Sequence, residues 1–234
     1  MAIEFNGADS YAAFEETPPI QNLTTLSVLS WFNPDGMGEG GSGRVINNTQ
    51  ATGGFWQLQT QGTNQFSFGR RWSGAVGLWY SNTNILATGV MNFVAVTYDA
   101  SSVNNDPIFY YGGSSVSLTE NTTPSGTLVD DSSANIILGT NFTGELTFDG
   151  KIYSACVYNR ILSAQEILDA YNSKLSIPTH RGLVFAPNLA GAAGGVTDGS
   201  ALATANEITC AVSGARGVPS GSPLIRADDY LIYE

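Results

Sequence analysis

Short runs rich in Val, Ile, Phe, Tyr, Trp and Thr recur along the chain, separated by clusters of Gly, Asn, Asp and Ser. They cover 26–32, 44–47, 55–60, 65–69, 76–80, 93–98, 108–111, 135–138 and 151–158. β-Branched and aromatic side chains suit a pleated surface, and the separating residues bend the chain. The pattern therefore predicts many short strands. Strands so spaced close into an all-β, two-sheet antiparallel jelly-roll sandwich. GFWQLQT and NQFSFG read as two arms of a hairpin.

One helix stands out among the strands. Ser163 is a good N-cap, and Glu166 three residues later completes a capping box. Ile167, Leu168 and Tyr171 follow at helical spacing, which predicts one short helix capping an end of the sandwich. After Pro178 the texture changes: AGAAGGVTDGSALATA is nearly featureless, with strand-like pieces at 208–212 and 230–233. The expected organisation is a sandwich over 1–177 and a Gly/Ala-rich appendage over 178–234. The appendage packs on the sandwich or on a neighbouring subunit, or else serves as a linker.

Composition narrows the function. Apolar residues at 42% suffice for a sizeable core, whereas charged residues at 12% leave a surface of neutral polar groups. Nine basic against 20 acidic residues give a net charge of −11. Nucleic acid and anionic membrane surfaces would be repelled. No apolar run reaches the roughly 20 residues of a membrane span. MAIEFNGADSY lacks the basic and apolar regions of a leader, so a site of work on a virion surface or outside the cell is reached without a signal peptide. Cys156 and Cys210 have no zinc-type spacing; two buried thiols or one disulfide both remain open. The sequons at Asn22, Asn47, Asn121 and Asn141 read as chance in an Asn/Thr-rich chain.

Several pieces, taken in order, resemble the laminin-G-like, concanavalin A-like domains. EFNGADSYAAF is similar to that family's opening strand, and LSVLSWFNPDG to its core strand with a Trp. GFWQLQT with QFSFG is similar to its central hairpin. FVAVTYDA is similar to a strand usually preceded by Trp-His-His, where this chain has Met91 and Asn92. NIILG and FDGKIYSACVYNRILSAQEI are similar to the closing pieces. The tail segment VSGARGVPSGSPLI resembles Gly-rich segments of phage-encoded laminin-G-like proteins. The resemblance covers 3–173 and implies two face-to-face antiparallel sheets, one of them concave. It implies no single function, since the family includes lectins, adhesion modules, structural modules and glycoside hydrolases.

Chemistry was sought residue by residue. Glycoside hydrolysis uses two carboxylates about 5–10 Å apart. Family hydrolases carry Glu-x-Asp-x-Glu on one strand face, and the nearest counterpart, Glu145, Thr147 and Asp149, lacks the middle acid. His180 is the sole histidine and has no nucleophile motif beside it. No catalytic residue and no cofactor are expected, a structural calcium aside. The resemblance puts such a calcium at the opening turn, where Asp9 stands, and near the closing turn, where Asp149 stands. The positions following the closing turn hold Tyr153 and Ser154 instead of the usual acids.

For ligand binding, RRWSGAVGLWY gathers Arg71, Trp72, Trp79 and Tyr80, and IFYYGG adds Tyr110 and Tyr111. Neighbours on a strand point to opposite faces, so one of Trp79 and Tyr80, and one of Tyr110 and Tyr111, is expected to face outward. In KIYSACVY, alternation puts Ile152, Ser154, Cys156 and Tyr158 on one face and Tyr153, Ala155 and Val157 on the other. Neither face is charged after Lys151, so both are expected to be covered. Tyr153, Cys156 and Tyr158 are then candidates for a contact surface.

The expected function is a non-enzymatic structural or adhesive β-sandwich acting through contacts: a virion surface or capsid decoration protein, of phage type. Its partners would be other virion or surface proteins, further copies of itself and glycans. A lectin-like carbohydrate-binding module is the alternative, and a glycoside hydrolase the third.

Overall fold

The computed structural model describes residues 2–14, 20–51, 53–174, 179–187 and 189. The strand-like pieces expected at 208–212 and 230–233, Cys210, and the phage-like segment lie outside them. In chain order the strands are β1 (Ile3–Asn6), β2 (Ala12–Phe14), β3 (Thr25–Pro34), β4 (Arg44–Gln50), β5 (Gly53–Gln61), β6 (Gln65–Arg70) and β7 (Gly77–Ser81). There follow β8 (Asn92–Asp99), β9 (Ile108–Tyr111), β10 (Ser114–Val116), β11 (Leu118–Thr122), β12 (Asn135–Leu138) and β13 (Asp149–Tyr158). Helix α1 (Ala164–Asn172) and strand β14 (Leu183–Phe185) come last.

These strands form two antiparallel sheets of seven. Sheet A runs β1-β13-β3-β8-β9-β10, with β14 also paired to β13, and sheet B runs β11-β7-β6-β5-β4-β12-β2. Between them lies an aromatic core that includes Phe32, Trp56, Phe66, Phe68 and Trp79, all fully buried. Phe148 meets Phe5 and Phe32 edge-on, with centroids 6.1 and 5.7 Å apart. Edge-to-face pairs of this kind add to the apolar burial that holds the sheets together. Phe148 begins the FDG turn, whose glycine is required by space as well as by backbone. Gly150 has φ 129°, and a Cβ there would lie 2.2 Å from the Asn33 carbonyl oxygen.

Sheet A is covered on both faces. Its outer face carries Leu29, Trp31, Phe93, Tyr110 and Tyr158, and onto these pack Ile167 and Ala170 of α1. Tyr171 stacks on Trp31 at 5.6 Å. The helix thus lies across the outside of sheet A, not over an end of the sandwich as the sequence pattern suggests. The reason is that β3 and β8 are buried on both faces and need an apolar cover. The inward stripe of the helix is Ile167, Ala170 and Tyr171, while Leu168 is partly exposed. Ser27 fixes the approach of the helix: its hydroxyl donates to the Arg160 carbonyl (2.7 Å) and accepts from Leu162 N–H (2.9 Å).

Strand β13 departs from strict alternation. Ile152 pairs with Phe32 and Ser154 with Trp31, so Tyr153 is an extra residue in a bulge. The bulge returns Ala155 and Val157 to the inner core beside Ile152 and sends Cys156 and Tyr158 to the outer face. Leu183–Phe185 pairs with the end of β13, and Phe185 packs edge-on against Phe14 at 5.3 Å.

One ion pair lies wholly inside. Arg70 Nη1 meets Asp131 Oδ2 at 3.3 Å, both side chains being almost completely buried. Arg70 Nη2 donates to the Leu23 carbonyl (3.0 Å), and Asp131 accepts from Asn22 N–H. Burial opposes both charges, and each is held by the other and by these hydrogen bonds. Removing one partner strands the other, so Asp131→Ala is expected to cost about 3–5 kcal/mol in urea unfolding. The capping box is present, and Arg160 reaches Glu166 through two contacts of 2.9 and 2.5 Å. Hydrogen bonding to Arg160 pulls the Glu166 carboxyl from its ordinary 4.5 down to about 2. A carboxyl lowered on folding stabilises fully above its unfolded value and loses that stabilisation as pH falls through the folded one. Glu166→Gln is therefore expected to flatten the fall in stability between pH 4.5 and about 2, read by thermal melts across that range.

Candidate binding face

With sheet A covered on both sides, the outer face of sheet B is the broad sheet surface left to solvent among the described residues. Its side chains come from alternate positions. In β5, Trp56 and Leu58 point into the core, while Gln57 and Gln59 stand on the other face. Strand pairing lines them up across the sheet. One row runs Leu78, Gly69, Gln57, Asn47, Ile137 and Ala13 over six strands. The next runs Thr119, Tyr80, Ser67, Gln59 and Arg44 over five. The centre of the face is therefore made of amides and small residues. At Gly69 the missing side chain leaves room for Gln57: a Cβ would lie 2.3 Å from its side-chain nitrogen, at the flexible end of that residue.

A loop over 139–147 rises beside this face. Asn141 Oδ1 knits it together by accepting from Thr143 N–H (2.9 Å), the Thr143 hydroxyl (2.8 Å) and Glu145 N–H (2.8 Å). Asn47 ties the loop to the sheet, its Nδ2 donating to the carbonyls of Ile137 (2.9 Å) and Thr140 (2.7 Å). Asn47 itself is 2% exposed and offers no surface amide. The loop carries Phe142, 43% exposed, as a ridge between two clefts that share it. The first, of about 250 Å³, lies over Arg44, Thr49, Gln57 and Arg71. The second, of about 450 Å³, lies over Tyr11, Ala13, Asn135 and Ile137, with Asp9 at its edge.

Polar groups on this face are short of partners. Arg44 Nη1 and Gln59 Oε1 are buried and have no hydrogen-bond partner among the described residues. Burial lowers the Arg44 guanidinium to about 10, and Tyr80, in the same row, acts weakly the other way. Arg71 lies over the Phe55 ring, 5.6 Å from its centroid.

The side chains singled out in the sequence are distributed as follows. Arg71 lines the first cleft, and Tyr80 stands on the wet face. Trp79 points inward and donates from Nε1 to Asp106 (2.7 Å), and Trp72 is a core residue. Tyr110 lies under α1, and Tyr111 packs against the inner core with its hydroxyl on Asn92 (3.0 Å), so both rings of this pair are engaged within the chain. Tyr153, Cys156 and Tyr158 belong to the outer cluster beneath α1. Cys156 is a free thiol, pushed up to about 12 by burial. Arg44, Gln57, Gln59 and Phe142 were not singled out. The two glutamines carry a sequence signal in their period-two placing opposite apolar residues in FWQLQTQ, whereas Arg44 and Phe142 carry none.

The acids do not converge. Asp9 accepts from Asn6 Nδ2 (2.7 Å) within a side-chain turn, and Asp149 is raised by burial and then by Asp35 nearby. Among the described residues no three His, Cys, Asp or Glu side chains group together, so the side-chain carboxylates do not fit the shell calcium prefers. The carboxylate pair used in glycoside hydrolysis is not assembled in the two clefts either, where the acid lining them is Asp9. No described helix is long and apolar enough to cross a membrane.

Residues 6–168 match the Laminin_G_3 family model, described as the Concanavalin A-like lectin/glucanases superfamily, and the chain belongs to that family. A comparison with curated proteins gives no match. Among solved structures the fold is similar to a heptameric SAP-like pentraxin from Limulus polyphemus: TM-score 0.56, 12% identity, 73% of this chain and 81% of that one covered. It is also similar to the CBM40 of Ruminococcus gnavus IT-sialidase bound to α2,3-sialyllactose, with TM-score 0.54, 14% identity and coverage of 72% and 96%. The botulinum neurotoxin serotype G binding domain is a third, with TM-score 0.51, 12% identity and coverage of 74% and 42%.

Proposed function

We propose that this chain is a non-catalytic recognition module that binds glycans across the outer face of sheet B. The observation that carries the reading is Arg44, which lines the first cleft and whose Nη1 has no hydrogen-bond partner among the described residues. Such groups cost free energy until something hydrogen-bonds to them. A sugar brings many hydroxyls, and an exposed ring such as Phe142 offers its apolar face a place to stack. The sialyllactose bound by the Ruminococcus gnavus module, on a similar fold, supports the same reading. In a second reading the module is a component of a phage-type virion surface, where sheet B faces outward and the chain after β14 makes the attachment. The neutral polar composition, with 12% charged residues, favours that setting.

On a glycan array the protein is expected to bind a restricted set of glycans. Phe142→Ala is expected to weaken the best of them by about fivefold or more while leaving the melting temperature unchanged. Gly69→Ala should likewise lose affinity with little loss of stability, since the new methyl meets only the flexible end of Gln57. No binding to any glycan would overturn the first reading. Quantitative mass spectrometry of density-purified particles, with copy number matching the shell proteins, is the result expected of the second. Absence from particles would overturn it.

A further inference from the structure

The first cleft has an electrostatic character opposite to that of the chain. The protein has 20 acidic and nine basic residues, yet the lining of this cleft holds Arg44 and Arg71 and no Asp or Glu. Amides, hydroxyls and glycines make up most of the remainder. The acid on the loop, Glu145, is not in the lining and accepts from the Thr143 hydroxyl at 3.1 Å. Arg71 is committed to its place over Phe55, with its Nη1 above Gly53. Arg44 is different. No carboxylate lies within ion-pair distance of it among the described residues, and its Nη1 is shielded from solvent without a partner. The contrast with Arg70 is direct, since that buried arginine has its aspartate at 3.3 Å.

A neutral hydroxyl could fill the missing hydrogen bond of Arg44 but not the missing countercharge, whereas an anionic oxygen supplies both. Gln57, half-buried beside Arg44 in the same lining, adds a second requirement, because its amide is placed to hydrogen-bond a neighbouring hydroxyl. The complementary ligand therefore presents an anionic group beside a hydroxyl. Building on the glycan reading above, we propose that the first cleft takes the carboxylate of an acidic saccharide, with Arg44 receiving the carboxylate and the Gln57 amide hydrogen-bonding a neighbouring sugar hydroxyl. The cleft of about 250 Å³ suits one sugar unit, and the adjoining cleft beyond Phe142 takes the next.

The test uses oligosaccharides ending in glucuronate, galacturonate or sialate, each beside its carboxyl-reduced twin, by array and then calorimetry on the full chain. At least one acidic member is expected to bind about tenfold or more tightly than its twin. Arg44→Gln should erase that preference, Arg44→Lys should retain part of it, and the affinity should fall as salt rises. If Arg44→Gln fails to fold, Arg44→Lys and the salt dependence of the wild type carry the test. Equal binding of acidic and neutral twins, or affinity indifferent to salt, would overturn the acidic ligand and leave the glycan reading standing. Binding to neither set would overturn both.

Discussion

Strands β3, β8 and β13 carry side chains that must be kept from water on both faces, and this double burial organises the rest of the molecule. One face is satisfied by sheet B across the aromatic core, and the other needs a cover that the same chain supplies as α1. The Ser27 contacts to Arg160 and Leu162 and the pair formed by Arg160 with Glu166 hold that cover in place. With sheet A enclosed in this way, the polar face of sheet B is left as the surface on which recognition can be built.

The two faces of sheet B treat arginine in opposite ways. Arg70 points inward from β6 and is neutralised by Asp131, with its remaining donors partly taken by a backbone carbonyl. Arg44 points outward from β4, is half-buried with its Nη1 shielded, and has no such neutralisation within the described chain. Desolvated charge is tolerated in a fold only when something compensates for it. Inside, the compensation is part of the architecture. On the wet face it is left to water or to whatever binds.

Much of the fold was legible in the sequence because its determinants are local. Alternating apolar runs, the turn at Phe148–Gly150 and the Ser163–Glu166 capping box each act within a few residues, and the ordered pieces carried the family resemblance. The placing of α1 was less legible, since a helical stripe specifies an apolar partner and not its position. The candidate site was mostly hidden. Trp79 and Tyr80 could be assigned to opposite faces, but which face was wet depended on sheet order. The Tyr153 bulge broke the alternation on which any assignment within β13 rests. Arg44, Gln59, Ser67 and Tyr80 are neighbours through strand pairing alone, and no sequence window contains them together.

The strict in-and-out alternation of β5 has a further consequence for how such a module can change over time. Each outward residue is flanked in sequence by residues that touch only the core, so substitution at Gln57 alters the outer face without disturbing Trp56 or Leu58. The outer surface of the strand can thus be rewritten at every second position, while the alternate positions stay fixed by the packing of the core.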